Sequence, residues 1–181
     1  MTGVQTCALP IYTSVLSTVI GAVIVDNDNG NNTDSNLYSE SGTWQDSGAA
    51  NMYLGSARYA NASGALATWT LDVPATDSYN VYAWWNCFTD RDQYARYTIN
   101  HAGGSVAVDV NQRDETGNVC GEWVQISGPH SFNAGTSHSI SVARHGGSTG
   151  SSTVADAVQL VPSSASVIPA IISIKNSHYY T

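Results

Sequence analysis

The feature that most constrains this chain is a succession of short apolar segments that alternate with polar residues and end at turn-forming residues. The clearest are ALATWTLDV (65–73), YNVYAWWN (79–86) and SVAVDVN (105–111), the last of which carries valine at every second position. Such alternation places the apolar side chains on one face of an extended strand. Between residues 22 and 162 no apolar spacing of helical period is sustained. The pattern therefore predicts about eight or nine short strands.

Many short strands joined by Gly-, Asn- and Ser-rich turns are typical of sheets that pack face to face. We therefore predict an all-β domain over residues 22–162, an antiparallel β-sandwich of jelly-roll type. A chain of 181 residues is long enough to bury a two-layer core without metals or many crosslinks. Residues 163–181, which begin with a Ser-rich run, are expected to be a linker or the truncated start of a following segment.

The charge balance argues against nucleic acid as a partner. The chain has six basic and fourteen acidic residues, a net charge of −8, and nothing resembling a basic patch. An anionic membrane surface is disfavoured for the same reason. The sequence also lacks the GxSxG elbow, the HExxH helix and a phosphate-binding Gly loop. Loop carboxylates could be paired on paper for glycoside hydrolysis, but nothing fixes their separation. We predict that the domain is not an enzyme.

Seven short motifs occur in order along the predicted sandwich. They are VDN (25–27), GTW (42–44), YNVYAWW (79–85), YTINHAGG (97–104), VDVNQ (108–112), GEW (121–123) and ADAV (155–158). This series resembles the golvesin C-terminal-like domain, also seen as the xanthan lyase carbohydrate-binding-like module. The resemblance implies a non-catalytic accessory module of a secreted or cell-surface bacterial protein. The implied partners are a polysaccharide or cell-surface glycan and other domains of the same polypeptide. The alternative is a structural or adhesive spacer with no ligand.

The start of the chain lies outside this resemblance. Residues 1–11, MTGVQTCALPI, resemble the translation of a sequencing adapter, so we expect residues 1–21 to be a non-native leader and linker. The apolar stretch 11–25 has no basic residue ahead of it and is short for a membrane span. No membrane insertion is predicted. Because Cys7 belongs to the adapter-like residues 1–11, we leave it out of the cysteine count.

Two cysteines then remain, and the predicted strand directions put both at one end of the sandwich. Cys87 and Cys120 lie on neighbouring loops there, and in an exported chain such a pair is expected to form a disulfide. The alternatives are two free thiols or half of a metal site. The same end gathers many polar and aromatic loop residues: Asp26, Asn27, Asp28, Asn29, Tyr59, Asn61, Phe88, Asp90, Arg91, Asp92, Asp114 and Glu115.

A sugar site needs an aromatic face for the apolar side of a pyranose and planar polar groups for its hydroxyls. Candidates at the loop end are Tyr59, Asn61, Phe88, Arg91 and Tyr94. A second arrangement places Tyr82 and Trp84 on an outer sheet face as a platform for a glycan chain. The competing interpretation is that Asn and Asp are ordinary turn residues and that most tryptophans belong to the core.

The loop DNDNGNNTD (26–34) partly matches a calcium-binding loop, with Asp26 and Asp28 as candidate ligands. Its glycine is shifted and the glutamate at the twelfth position is missing. A structural calcium ion is therefore the one cofactor considered, and no other is predicted. Asp156, inside the apolar segment ADAV, is expected to be a buried, hydrogen-bonded acid.

Overall fold

The computed structural model describes residues 21–145 and 152–164, which form β-strands and two short 3₁₀ helices. The first half contains β1 (Val23–Asp26), β2 (Tyr38–Ser41), β3 (Gln45–Asp46), β4 (Arg58–Ala60), β5 (Leu66–Val73) and β6 (Asp77–Trp84). The second half contains β7 (Ala95–His101), β8 (Gly104–Val110), β9 (Val124–Phe132), β10 (Gly135–Arg144), β11 (Thr153–Ala155) and β12 (Ala157–Pro162). The 3₁₀ helices span Asn29–Asn31 and Tyr53–Gly55.

Two antiparallel sheets form the sandwich. One has the strand order β1-β12-β6-β9, and the other has the order β2-β5-β10-β7-β8. A third, small sheet of order β11-β4-β3 extends from one end. Every strand pair is antiparallel. The predicted all-β, antiparallel sandwich is confirmed.

The core lies between the two large sheets and takes alternate residues from each strand. On β6 the residues Val81 and Ala83 are fully buried, while Tyr82 and Trp84 on the opposite face are partly exposed. Trp69 of β5 is fully buried and stacks on Tyr97 of β7, with 6.4 Å between ring centroids. Aromatic residues of this size contribute most of the apolar area buried in such a core.

Three features of the fold are not evident from the local sequence pattern. The polar segment 54–64 contains β4, which pairs with β3 and β11 across the small sheet. The apolar segment 154–162 breaks at Asp156 into β11 and β12, which join different sheets. Strand β9 begins at Val124 and continues through Gly128 and Pro129 to Phe132. The leader 1–20 and the tail 165–181 lie outside the described residues.

No helix within residues 21–145 and 152–164 is long and apolar enough to cross a membrane.

Candidate functional site

A cavity of about 320 Å³ opens at the loop end of the sandwich, beside the small sheet. Three loop segments and one strand end form its walls. The lining residues are Ser47, Gly48, Ala49, Tyr59, Asn61, Phe88, Asp90, Arg91 and Ser152. Four of them, Tyr59, Asn61, Phe88 and Arg91, are residues that the sequence analysis predicted for a sugar site. The structure brings these four together, and their role toward a ligand stays a prediction.

Arg91 connects the walls of the cavity to one another. Its Nη1 donates to Ser152 Oγ at 2.8 Å, and its Nη2 donates to Asn86 Oδ1 at 3.0 Å and to Ser47 Oγ at 3.1 Å. Asn86, which is fully buried, also donates from Nδ2 to Ser47 Oγ at 2.7 Å. One buried side chain therefore holds three chain segments that are distant in sequence. The Arg91 Nε is buried without a hydrogen-bond partner, so the guanidinium holds the walls through its two Nη atoms.

Aromatic rings flank the Arg91 guanidinium on the cavity side. Its Cζ lies 5.8 Å from the Tyr59 ring centroid and 5.4 Å from the Phe88 ring centroid, within the range of cation–π attraction. Burial lowers the pKa of Arg91, while the Asp90 carboxylate at 3.6 Å raises it. The cavity therefore combines two aromatic faces with a charge pair that is close to neutral in sum.

The polar groups that face the opening are less constrained than Arg91. The Asp90 side chain is 42% exposed, and its Oδ1 accepts a long hydrogen bond of 3.5 Å from Ser152 Oγ. Asn61 and Phe88 are exposed at the rim. A carboxylate and an amide beside an exposed ring can accept and donate hydrogen bonds to hydroxyl groups while the ring packs against C–H groups.

Buried polar contacts fix the loops behind the cavity. Gln112 is fully buried, donates from Nε2 to Tyr97 Oη at 3.0 Å and to Val154 O at 2.9 Å, and accepts from Val154 N at 2.8 Å. Thr153 Oγ1 donates to Asp92 Oδ2 at 2.7 Å. These bonds join β11 to the loops on either side of the β7–β8 hairpin. The cavity is therefore built on a rigid base.

The predicted disulfide is confirmed. Cys87 and Cys120 are bonded, with Cα atoms 5.2 Å apart and a sequence separation of 33. The bridge joins the loop that carries Phe88 and Arg91 to the loop that precedes β9. Asn51 Nδ2 contacts Cys87 Sγ at 3.5 Å, so the loop between β3 and β4 also packs on the bridge.

The second predicted arrangement, an aromatic platform on the sheet face, has a different geometry from the one expected. Trp84 packs against Tyr53 and Trp123, with ring centroids 5.5 Å away in each case and planes inclined by 58° and 78°. Its Nε1 donates to Asn51 O at 2.8 Å. Tyr82 donates from Oη to Gln125 Oε1 at 3.1 Å on the same sheet. The three rings form a half-buried cluster and do not present one flat surface.

Tyr94 is exposed and is not among the residues that line the cavity. Its backbone N–H donates to Asp92 Oδ1 at 2.9 Å. Sequence reasoning missed Ser47, Asn86 and Ser152, which hold Arg91, and nothing in their local sequence distinguishes them from turn residues. Asp90 was placed at the loop end but was not selected as a site residue.

The Asn/Asp loop after β1 uses its side chains to cap its own backbone. Asp26 Oδ1 accepts from Asp28 N at 2.7 Å, and Asp28 Oδ1 accepts from Gly30 N at 2.8 Å. This is turn chemistry, as the competing interpretation expected. Within the described part of the chain, no group of three or more His, Cys, Asp or Glu side chains is arranged to hold a metal ion.

Comparison with known proteins identifies similar sequences and structures. The chain is 31% identical over 146 residues to the xanthan lyase of Bacillus sp. (strain GL1), which covers 77% of this chain and 14% of that protein. The structure of a Paenibacillus xanthan lyase superposes with a TM-score of 0.67 and 31% identity over 82% of this chain. That match again covers 14% of the larger protein. The chain thus corresponds to a small part of these relatives.

A more distant match shows the fold alone. A GH26-CBM35 β-(1,4)-mannanase from Podospora anserina superposes with a TM-score of 0.52 and 15% identity, over 79% of this chain and 28% of that one. The model of the Golvesin C-terminal domain family matches residues 23–162, which span the sandwich from the start of β1 to the end of β12. The chain belongs to the Golvesin C-terminal domain family.

Proposed function

We propose that this domain is a non-catalytic module that binds a polysaccharide through the cavity at its loop end. The observation that carries the proposal is the juxtaposition of Tyr59, Phe88, Asn61 and Asp90 around one opening of about 320 Å³. The volume is at the lower end of the range for small-ligand sites and suits one or two sugar residues. The similarity to part of a xanthan lyase supports a polysaccharide as the ligand class.

The charge of the cavity favours a sugar that carries hydroxyl groups over a strongly charged one. Arg91 is 4% exposed, and its Nη atoms are already bonded to Ser47, Asn86 and Ser152. The Asp90 carboxylate is more accessible to a ligand than the Arg91 guanidinium is. We therefore assign ligand contact to Phe88, Asn61 and Asp90, and a positioning role to Arg91.

A secreted or cell-surface location is part of the proposal. The Cys87–Cys120 disulfide requires an oxidising compartment to persist. A net charge of −8 disfavours nucleic acid, and the partners that we propose are a glycan and the neighbouring domains of a longer polypeptide.

The second candidate function is a spacer without a ligand. The observation that favours it is that Arg91, the most buried charge at the cavity, is held by protein groups alone. A spacer needs a rigid fold but no exposed groups for a ligand to contact. The exposed Phe88 ring is therefore the feature that favours glycan binding over the spacer function.

Affinity gel electrophoresis of the full chain through a panel of soluble polysaccharides, xanthan included, tests the proposal. We expect at least one polysaccharide to retard the wild-type protein. Phe88→Ala should weaken the retardation about tenfold, because an aromatic ring that packs on a sugar contributes about 1.4 kcal/mol to the binding free energy. Val119→Ala, which shortens another exposed apolar side chain on a loop of the same end, is the matched control and should behave as wild type.

Two further outcomes decide between the alternatives. If Trp84→Ala, and not Phe88→Ala, abolishes retardation in a folded protein, the ligand lies on the Tyr53, Trp84 and Trp123 cluster. If no polysaccharide retards the folded wild-type protein, the domain is the spacer.

A further inference from the structure

Two buried carboxylates lie where β1 pairs with the start of β12. Asp26 is the last residue of β1 and lies opposite Ala157 of β12. Asp156 occupies the break between β11 and β12, and its backbone oxygen accepts from Asn27 N at 2.8 Å. The two residues are 1% and 0% exposed. Neighbouring buried carboxylates are costly unless something compensates their charge.

The protein compensates these carboxylates only in part. Both oxygens of Asp156 share a single donor, Tyr53 N, at 3.2 and 3.3 Å. Asp26 Oδ1 accepts from Asp28 N, while Asp26 Oδ2 is buried and has no hydrogen-bond partner. Among residues 21–145 and 152–164, no basic side chain forms an ion pair with either carboxylate. A buried carboxylate oxygen without a donor points to a missing partner.

Beside Asp26 lie the neutral side chains of Asn31 and Ser56 and the carboxylate of Asp28. Burial raises the pKa of Asp26 to about 6 and the charge of Asp28 adds to this effect, while the Asp28 backbone and the Asn31 and Ser56 side chains lower that pKa. The Asn27 amide, with its nitrogen toward Ser56 O at 2.9 Å, also donates to Asp26 Oδ1, at 3.3 Å. Burial raises the pKa of Asp156 to about 9, and the charge of Asp26 adds to that effect. These neighbours leave Asp26 Oδ2 without a donor, so the charge of the two buried carboxylates is open to balance by a bound cation.

We propose that Asp26 and Asp156 bind one calcium ion, through Asp26 Oδ2 and the Asp156 carboxylate. Calcium takes six to eight oxygen ligands from carboxylates, amides, hydroxyls, carbonyls and water, which is the chemistry of this neighbourhood. Neither cysteine nor histidine is among the neighbours of these carboxylates, so the site does not suit zinc. The Oδ1 of Asp28, the other candidate of the loop pattern, accepts from Gly30 N, and we leave Asp28 out of the proposed ligand set.

The position of the ion gives it a structural role. It would join β1 to the β11–β12 break and, through Ser56 and Tyr53, to the end of the loop that begins at Ser47. The start of the same loop lines the cavity. Calcium would therefore hold both the edge of the sandwich and one wall of the cavity without touching the sugar.

The test measures calcium binding and melting temperature on the full chain, without any glycan. Protein treated with EDTA and freed of it should bind one equivalent of calcium in a calorimetric titration. Its Tm should rise by roughly 5–10 °C at a hundredfold excess of calcium over the Kd, and EDTA should reverse the rise. Asp156→Asn and Asp26→Asn should abolish both responses, while Asp28→Asn should keep them.

The amide variants also show whether a lost calcium response is caused by misfolding. In EDTA, Asp156→Asn should melt at or above the wild-type temperature, because a neutral amide replaces a buried acid of the same shape. The inference is overturned if the wild-type protein shows neither binding heat nor a Tm shift with calcium. It is overturned equally if folded Asp156→Asn retains the wild-type response. Because no readout involves sugar, the outcome is independent of the proposed glycan binding.

Discussion

Asn86 Oδ1 accepts a hydrogen bond of 3.0 Å from Nη2 of Arg91, five residues further along the chain. The same guanidinium reaches Ser47 and Ser152, which are 44 and 61 residues away in sequence. This single side chain thus holds together the loops that form the cavity. The shape of the proposed sugar site depends on Arg91 even though Arg91 is nearly inaccessible to a ligand.

Arg91→Lys should destabilise the fold markedly. A lysine cannot reproduce the planar fork, so Asn86 Oδ1 and one serine hydroxyl would lose their charged donor in a buried site. We expect the free energy of unfolding to fall by about 2–4 kcal/mol, measured by urea denaturation.

The matched control is Arg96→Lys, which alters the exposed Arg96–Asp109 pair on the β7–β8 hairpin. Its urea midpoint should stay close to that of the wild type, because solvent screens exposed ion pairs. Equal losses in the two variants would contradict the role given to Arg91.

Removal of the disulfide should also lower stability. Replacing both Cys87 and Cys120 by serine frees a loop of 33 residues in the unfolded chain. The chain-entropy relation gives a loss of about 3–4 kcal/mol. Urea denaturation of the double variant, and of wild-type protein under reducing conditions, should agree. An unchanged midpoint in both experiments would show that the bridge does not constrain the unfolded chain.

Gly121→Ala should be more harmful than Gly117→Ala. Both glycines have positive φ, at +67° and +85°, so alanine strains the backbone at either position. At Gly121 a Cβ would also lie 2.6 Å from Asn51 Cβ, whereas at Gly117 nothing lies within 4 Å. We expect the difference in unfolding free energy to be about 1–3 kcal/mol, the usual cost of overpacking. Similar urea midpoints for the two variants would mean that the loop carrying Asn51 moves away from the added methyl group at little energetic cost.

Stability should decrease in mild acid because of a histidine pair at the other end of the molecule. His101 and His130 stack with 4.6 Å between ring centroids, and burial and the charge of His101 lower the pKa of His130 below 6.5. The folded state then binds a proton less readily than the unfolded chain does. The contribution of His130 to the free energy of unfolding is therefore complete above pH 6.5 and is lost as the pH falls through its folded-state pKa.

The effect should be smaller than about 1 kcal/mol, since solvent screens this half-exposed pair. Urea midpoints at pH 7.5 and 5.5 measure it. His130→Gln, which keeps a hydrogen-bonding side chain beside Ser127 Oγ, should reduce the difference between the two pH values. An identical difference in the variant would assign the pH dependence to other groups.

The strands that could be predicted are those with a local signal. Strands β5, β6 and β8 carry apolar residues at every second position, and the structure confirms each of these strands. The disulfide was predictable because two cysteines remained on loops that strand direction places together. Local periodicity and simple counting were enough for these features.

The elements that were missed depend on distant contacts. Strand β4 has three residues, Arg58–Ala60, too few to show alternation, and it is extended because β3 and β11 pair with it. Ser47, Asn86 and Ser152 became site residues only because the fold brings them to Arg91. Trp84 was expected on an open platform, but the loop between β3 and β4 places Tyr53 against it. None of these contacts has a signature within its own segment.

The measurement that tests the central claim most directly is a ¹H–¹⁵N NMR titration of the wild-type chain with oligosaccharides from the retarding polysaccharide. The amides of Gly48, Ala49, Asn61 and Asp90, which line the cavity, should show the largest shifts. The amides of residues 127, 128 and 130–132, in the second half of β9 away from the cavity, should stay unchanged. Shifts that centre on Trp84 and Trp123, or saturating sugar that moves no cavity amide, would contradict the cavity as the binding site.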